Sequence, residues 1–155
     1  GTLGQEHMRV AALLGRARIH GIYDTQSLSM DTAEANLLSL QSQTFVRYND
    51  LSSACNDPAA DALLICTPNH THFDVLRTAM QSNKPIFLEK PMATELQDAA
   101  EIVRANEAYE SFIQIGLQYR YKPQYLEAFR EALDNGALGQ IKTLCVCEYR
   151  PPFLE

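Results

Sequence analysis

The chain has no tryptophan, no apolar run as long as a membrane span, few cysteines and fewer basic than acidic residues. Each scarcity excludes something. With 13 Lys and Arg against 19 Asp and Glu, the net charge is -6. That balance speaks against a nucleic-acid or anionic-membrane surface, which needs clustered basic residues. The lack of about 20 consecutive apolar residues leaves no helical membrane anchor. The four cysteines, Cys55, Cys66, Cys145 and Cys147, include no C-x-x-C pair and fit no zinc spacing, so no metal is expected. They read as reduced, mostly buried thiols of a cytoplasmic protein. Cys145 and Cys147 would share one strand face, a poor geometry for a mutual disulfide. No basic-then-apolar leader opens the chain. That excludes little, because the first glycines are read below as lying inside a nucleotide loop.

What is present suits a globular α/β protein: 46% hydrophobic and 21% charged residues over 155 positions. Apolar runs at 18–24, 44–48, 61–67, 85–89, 112–116 and 141–149 read as strands. The run at 61–67 is nearly continuous, as for a strand buried on both faces. Between them lie helical stretches at about 25–42, 50–56, 70–82, 94–109 and 123–135. Asp50 should cap the second of these and Asn69 the third. Thr94 with Gln97 forms a capping box for the fourth, and Gly136 closes the fifth. Strand and helix in alternation predict a doubly wound parallel sheet. Ligands then bind beyond the carboxyl ends of the strands.

The residues at those ends carry the chemistry. "GTLGQEH" opens the chain with Gly1 and Gly4 leading into a helix, like the last two glycines of G-x-G-x-x-G. Gly1 would let backbone approach a pyrophosphate, and Gly4 would allow close helix–strand packing. Asp24 ends the next strand about 20 residues later, where an acid binds the adenosine ribose. A plain turn and a solvated carboxylate are the alternatives. Asp24 followed by Thr25, with no adjacent arginine, favours NAD over NADP. On this reading the first strand and first glycine are absent, and the chain is a fragment. "CTPNHTH" follows the most apolar strand. His70 and His72 read as exposed first-turn residues or partners of local backbone, not as metal ligands. In "FLEKPMAT", Lys90 follows a buried strand on the nucleotide edge. Its ammonium can bind a substrate oxygen and stabilise charge developing there. Glu89 can position it, and Pro91 restricts the local backbone.

Together "GQEH", "IYDT", "CTPNHTH", "EKPMA" and "GLQYRYKP" resemble the glucose–fructose oxidoreductase/inositol dehydrogenase (Gfo/Idh/MocA) family, in the family's order and over essentially the whole chain. The resemblance implies a Rossmann domain, here 1–120 without its first strand, followed by the start of a second α/β domain at 121–155. It implies NAD-dependent hydride transfer at a carbon of a sugar, inositol or related polyol. Lys90 would contact both cofactor and substrate. Thr67, Pro68, Asn69 and Glu89 would border the cofactor, Arg120 would lie near its nicotinamide end, and Tyr121 would face the substrate. The D-x-x-x-H pair that supplies the acid–base histidine in many members does not occur before Glu155, so this segment alone is expected to be inactive and the full-length protein to be a homo-oligomer. Two rivals stand beside this reading. One is a non-catalytic dinucleotide sensor or transcriptional co-regulator of the same fold. The other is a Rossmann domain for some other ligand, against which Asp24 speaks.

Overall fold

The computed structural model describes residues 1–40, 45–147 and 149. They divide into two units, Gly1–Gly116 and Leu117–Glu155. The first unit alternates helix and strand: α1 (Thr2–Leu14), β1 (Gly21–Ile22), α2 (Ser27–Leu40), β2 (Val46–Arg47), α3 (Leu51–Asn56), β3 (Leu63–Ile65), α4 (His72–Ala79), β4 (Ile86–Leu88), α5 (Leu96–Glu107) and β5 (Ile113–Ile115). All the described ladders are parallel, as the alternation requires. Gly21 pairs with Val46, Leu63 with Ile86, and Ile86 with Ile113.

The strands form two pieces, β1-β2 and β3-β4-β5. In the doubly wound order 3-2-1-4-5-6 these are places 3-2 and 4-5-6. Among the described residues no strand takes place 1, and no ladder joins β1 to β3. Each piece has its own apolar core. Ile65, Leu76, Ile86, Leu88 and Ile102 are buried between β3-β4-β5 and α4 and α5. Met8, Ala33 and Leu37 join α1 to α2, with Ile19, Ile22 and Phe45 against them.

Several local expectations hold. Asp50 caps α3 by accepting the Ser53 N–H at 2.8 Å. Gly136, just past the helical turn at Arg130–Asp134, stands at φ 60°, the left-handed conformation of a closing glycine. Others are corrected. Leu64 is 46% exposed, so β3 is not buried on both faces. The cap of α5 is Glu95 rather than Thr94: the Glu95 carbonyl already accepts the Ala99 N–H at 3.1 Å, and no side chain caps this end. The segment at 141–147 forms no strand. Leu144 and Val146 stand exposed, and among the described residues no strand pairs with this segment. Thr44 and Glu148, at the ends of two expected strands, lie outside the described residues. In the second unit a short 3-10 turn, Gln118–Tyr121, leads into α6 (Pro123–Phe129), which continues as a π-helical turn at Arg130–Asp134. Lys122 lies 3.8 Å from the Tyr119 ring centroid, and Tyr119 stacks on Tyr125. The sulfurs of Cys145 and Cys147 are 3.8 Å apart and unbonded.

A polar knot ties the β1-β2 piece to the carboxyl end of α3. Asp57 accepts the Tyr48 hydroxyl at 2.7 Å, the Ala59 N–H at 2.8 Å and a His20 ring nitrogen at 3.2 Å. The Tyr48 hydrogen bond, then the Ala59 N–H and His20, hold the Asp57 carboxyl down at about 2. An unfolded aspartate titrates near 3.9. The folded value is the lower one, so this group's contribution to stability is present above about pH 4. It is lost as pH falls through about 2. Urea unfolding measured from pH 5 to pH 2 should therefore show a steep acid limb. Asp57→Asn should flatten that limb, and an unchanged slope would remove Asp57 from it.

Candidate active site

The loops that leave the carboxyl ends of the strands place most of the predicted residues on one edge of the first unit. Gly1 is the N-cap of α1, and no side chain caps that N-terminus. The first-turn N–H groups of such an end are free for an anion. Asp24, just past β1, lies beside it: its Oδ2 accepts from the Gly1 amino group at 2.9 Å. The other oxygen accepts the Gln26 N–H at 2.9 Å. Partial burial pushes the Asp24 carboxyl up. The Gln26 N–H and the amino group together outweigh it and leave the value below the usual carboxylate range. Gly4 faces Cys66 at the end of β3. A methyl group on Gly4 would meet the Cys66 Cβ at 3.6 Å, an ordinary contact, so the helix–strand approach here is close without being glycine-only.

The turn after β3 carries Thr67, Pro68 and Asn69. Asn69 does not cap α4. The residue before that helix is Thr71, whose N–H and hydroxyl both donate to the Pro68 carbonyl at 2.8 Å and close the turn on itself. The Thr67 hydroxyl is buried and has no partner among the described residues. A buried hydroxyl without a bond is uncommon and points to a missing ligand or water. Cys66, one residue earlier, is inert: burial first, then the charge of Glu89, pushes its thiol up to about 11.

Past β4, Lys90 is exposed and Glu89 is 8% exposed. The Lys90–Pro91 peptide is cis. Glu89 does not reach for the Lys90 ammonium. Its Oε2 accepts the Lys90 backbone N–H at 3.0 Å, and its Oε1 bonds the His7 Nε2 at 2.8 Å. His72 joins this loop to the one after β3. It is fully buried, with Nδ1 2.7 Å from the Pro91 carbonyl and Nε2 3.0 Å from the Thr67 carbonyl. Both neighbours are acceptors, so the ring serves as a donor.

The first unit thus brings together Gly1 with Asp24, and Thr67 with Pro91, Lys90 and Glu89. Arg120 and Tyr121 lie in the second unit, in the turn that precedes α6. His72 is the main correction. The sequence predicts an exposed residue or a partner of local backbone, yet His72 is buried and one of its partners is 19 residues away. A signal was present: His72, Leu76 and Ala79 recur at helical spacing on the buried stripe of α4. His7 was also passed over, although it stands one turn after Gly4 on the side of α1 that meets the sheet.

A parallel α/β unit with an uncapped helix start, a strand-end acid and a strand-end lysine on one edge defines a Rossmann-type nucleotide-binding fold. Residues 1–117 match the family model described as the oxidoreductase family, NAD-binding Rossmann fold (Gfo/Idh/MocA), and the chain belongs to that family. It is 30% identical over 128 residues to the inositol 2-dehydrogenase of Paracoccus denitrificans, covering 81% of this chain and 37% of that protein. It is 29% identical over 154 residues to the inositol 2-dehydrogenase of Ralstonia nicotianae, covering 98% of this chain and 44% of that one. Among solved structures, the myo-inositol dehydrogenase of Lactobacillus casei, in complex with NAD(H) and myo-inositol, superimposes with a TM-score of 0.77. It is 30% identical and covers 90% of this chain and 40% of that one. The chain therefore spans less than half the length of these relatives.

Proposed function

We propose that the chain is the nucleotide-binding part of an NAD-dependent dehydrogenase acting on a CH–OH carbon of a cyclitol or sugar. The observations that support this reading are the contact of Gly1 with Asp24, the linkage of the Thr67 and Lys90–Pro91 loops through His72, and a Thr67 hydroxyl that is buried with no partner among the described residues. The residues fit a dinucleotide. The α1 N-terminus offers N–H groups to a pyrophosphate, and Asp24 offers oxygens to the ribose hydroxyls. Thr67 offers its orphaned hydroxyl, within the turn formed with Pro68 and Asn69. The nicotinamide, when bound, accepts or supplies the hydride. Lys90 binds the reacting substrate oxygen through its ammonium and stabilises negative charge there. Among the described residues no acid pairs with that ammonium, which leaves its donors available to a substrate. Arg120 and Tyr121 are assigned to the nicotinamide end and the substrate on the family resemblance.

The proton that accompanies the hydride needs a further group. His72 is spent between two carbonyls, while His7 and His20 are paired with carboxylates. These 155 residues are therefore expected to bind cofactor without turning over substrate. Cofactor choice tests the reading at Asp24. Its carboxylate accepts from ribose hydroxyls and repels a 2′-phosphate. In the full-length protein, Asp24→Ala should weaken NADH about tenfold, the scale of one hydrogen bond to a charged group. NADPH binding should hold or improve. A fluorescence titration in which both cofactors lose affinity equally would count against this role.

A further inference from the structure

We propose that His7 is a positioning residue for Lys90, acting through Glu89. This rests on the reading of Lys90 as the residue that binds the reacting oxygen. The Glu89 carboxylate is buried and works as a bridge. Oε1 takes the His7 Nε2 at 2.8 Å, and Oε2 takes the backbone N–H of Lys90 at 3.0 Å. A carboxylate accepts and does not donate, so the hydrogen of the first bond sits on Nε2. The His7 ring is itself fixed, edge-on to Phe87 with centroids 5.3 Å apart. The far wall is tight as well. A methyl group on Gly116 would stand 3.0 Å from the Phe87 ring and 3.3 Å from Glu89 Oε1, so glycine leaves the room the carboxylate occupies.

The bridge couples two parts of the site. His7 rides on α1, whose first residue meets Asp24, while Lys90 belongs to the loop after β4. A buried carboxylate that loses one of its partners is poorly tolerated, because its charge is left uncompensated. Without His7, Glu89 loses a donor and must swing toward water, which loosens its hold on the Lys90 backbone. The lysine keeps its ammonium and loses its aim. A displacement of about 1 Å at such a group is enough to slow a reaction substantially.

Two measurements test this, one of which needs no turnover. In the cofactor-free protein, amide hydrogen exchange at Lys90 should quicken about tenfold in His7→Phe, the scale of one charge-assisted hydrogen bond. It should stay near wild type in His7→Gln, whose amide nitrogen replaces the Nε2 donor. Glu89→Leu, which removes both acceptor oxygens, should behave like His7→Phe and serves if that variant folds poorly. Unchanged Lys90 exchange in both variants overturns the proposal. In the full-length protein, His7→Phe should lower kcat about tenfold with little change in the KM for NAD. In a Lys90→Ala background the same substitution should cost nothing more. Equal losses in both backgrounds would make His7 merely structural. Normal turnover in Lys90→Ala itself would sink the proposed reaction, and this role with it.

Discussion

Lys90→Ala in the full-length protein should slow hydride transfer by roughly 10²-fold or more, the scale of losing one oriented donor where charge develops. The side chain is well placed for so clean an effect. Lys90 is exposed, and among the described residues its ammonium joins no ion pair, so its removal should leave thermal stability within about 0.5 kcal/mol. The backbone N–H that Glu89 holds survives the substitution. The loss should therefore fall on kcat, with NADH binding largely kept, because Asp24 and the start of α1 are untouched. Stopped-flow oxidation of substrate under NAD saturation would separate the two. A variant that transfers hydride at the normal rate would remove Lys90 from the mechanism. It would favour a dinucleotide sensor, for which an intact lysine at this place has no chemical duty.

Much of the site was legible in the sequence because its residues follow strands directly. "IYD", "LLICTP" and "IFLEKP" each run from an apolar strand into a turn, and a parallel sheet brings all such turns to one edge. Local pattern therefore pointed to the two turns that His72 links, those of Thr67 and Pro91. What it missed depends on packing between elements distant in sequence. His72 bridges two loops, and nothing near it announces Pro91 as a partner. Glu89 stands beside Lys90, which invites a direct ion pair, yet the structure turns its carboxylate back onto His7, 82 residues away. Leu64 belongs to a run apolar enough for a strand buried on both faces, but burial depends on what covers the second face. The segment at 141–147 has strand-forming residues without a partner strand, and propensity alone does not make a ladder.

The 155-residue chain, produced by itself, should melt early, bind NAD weakly and aggregate. The cause is the seam between the two pieces of sheet. β1 pairs with β2 on one side and β3 with β4 on one side, and no ladder joins β1 to β3. In the doubly wound order both strands would flank place 1, the centre of the sheet. Among the described residues each is laddered on one side only, which leaves the backbone donors and acceptors of the other side without a strand partner. Where such groups are shut away from water, each costs about 1–3 kcal/mol. A whole domain is stable by only about 5–15 kcal/mol, so a few are decisive. Where they face water instead, they offer an edge on which another chain can pair. The start of α1 and Asp24 stand on the β1 side of this seam, while Thr67 and Lys90 stand on the β3 side. A loose seam thus loosens the nucleotide site as well as the fold. Circular dichroism should show a broad transition below about 50 °C, under the bulk of the usual mesophile range. Light scattering should rise with concentration as the edges pair. A cooperative transition above about 50 °C together with micromolar NAD binding would show that β1 and β3 need no strand between them and that the two cores suffice to hold the site.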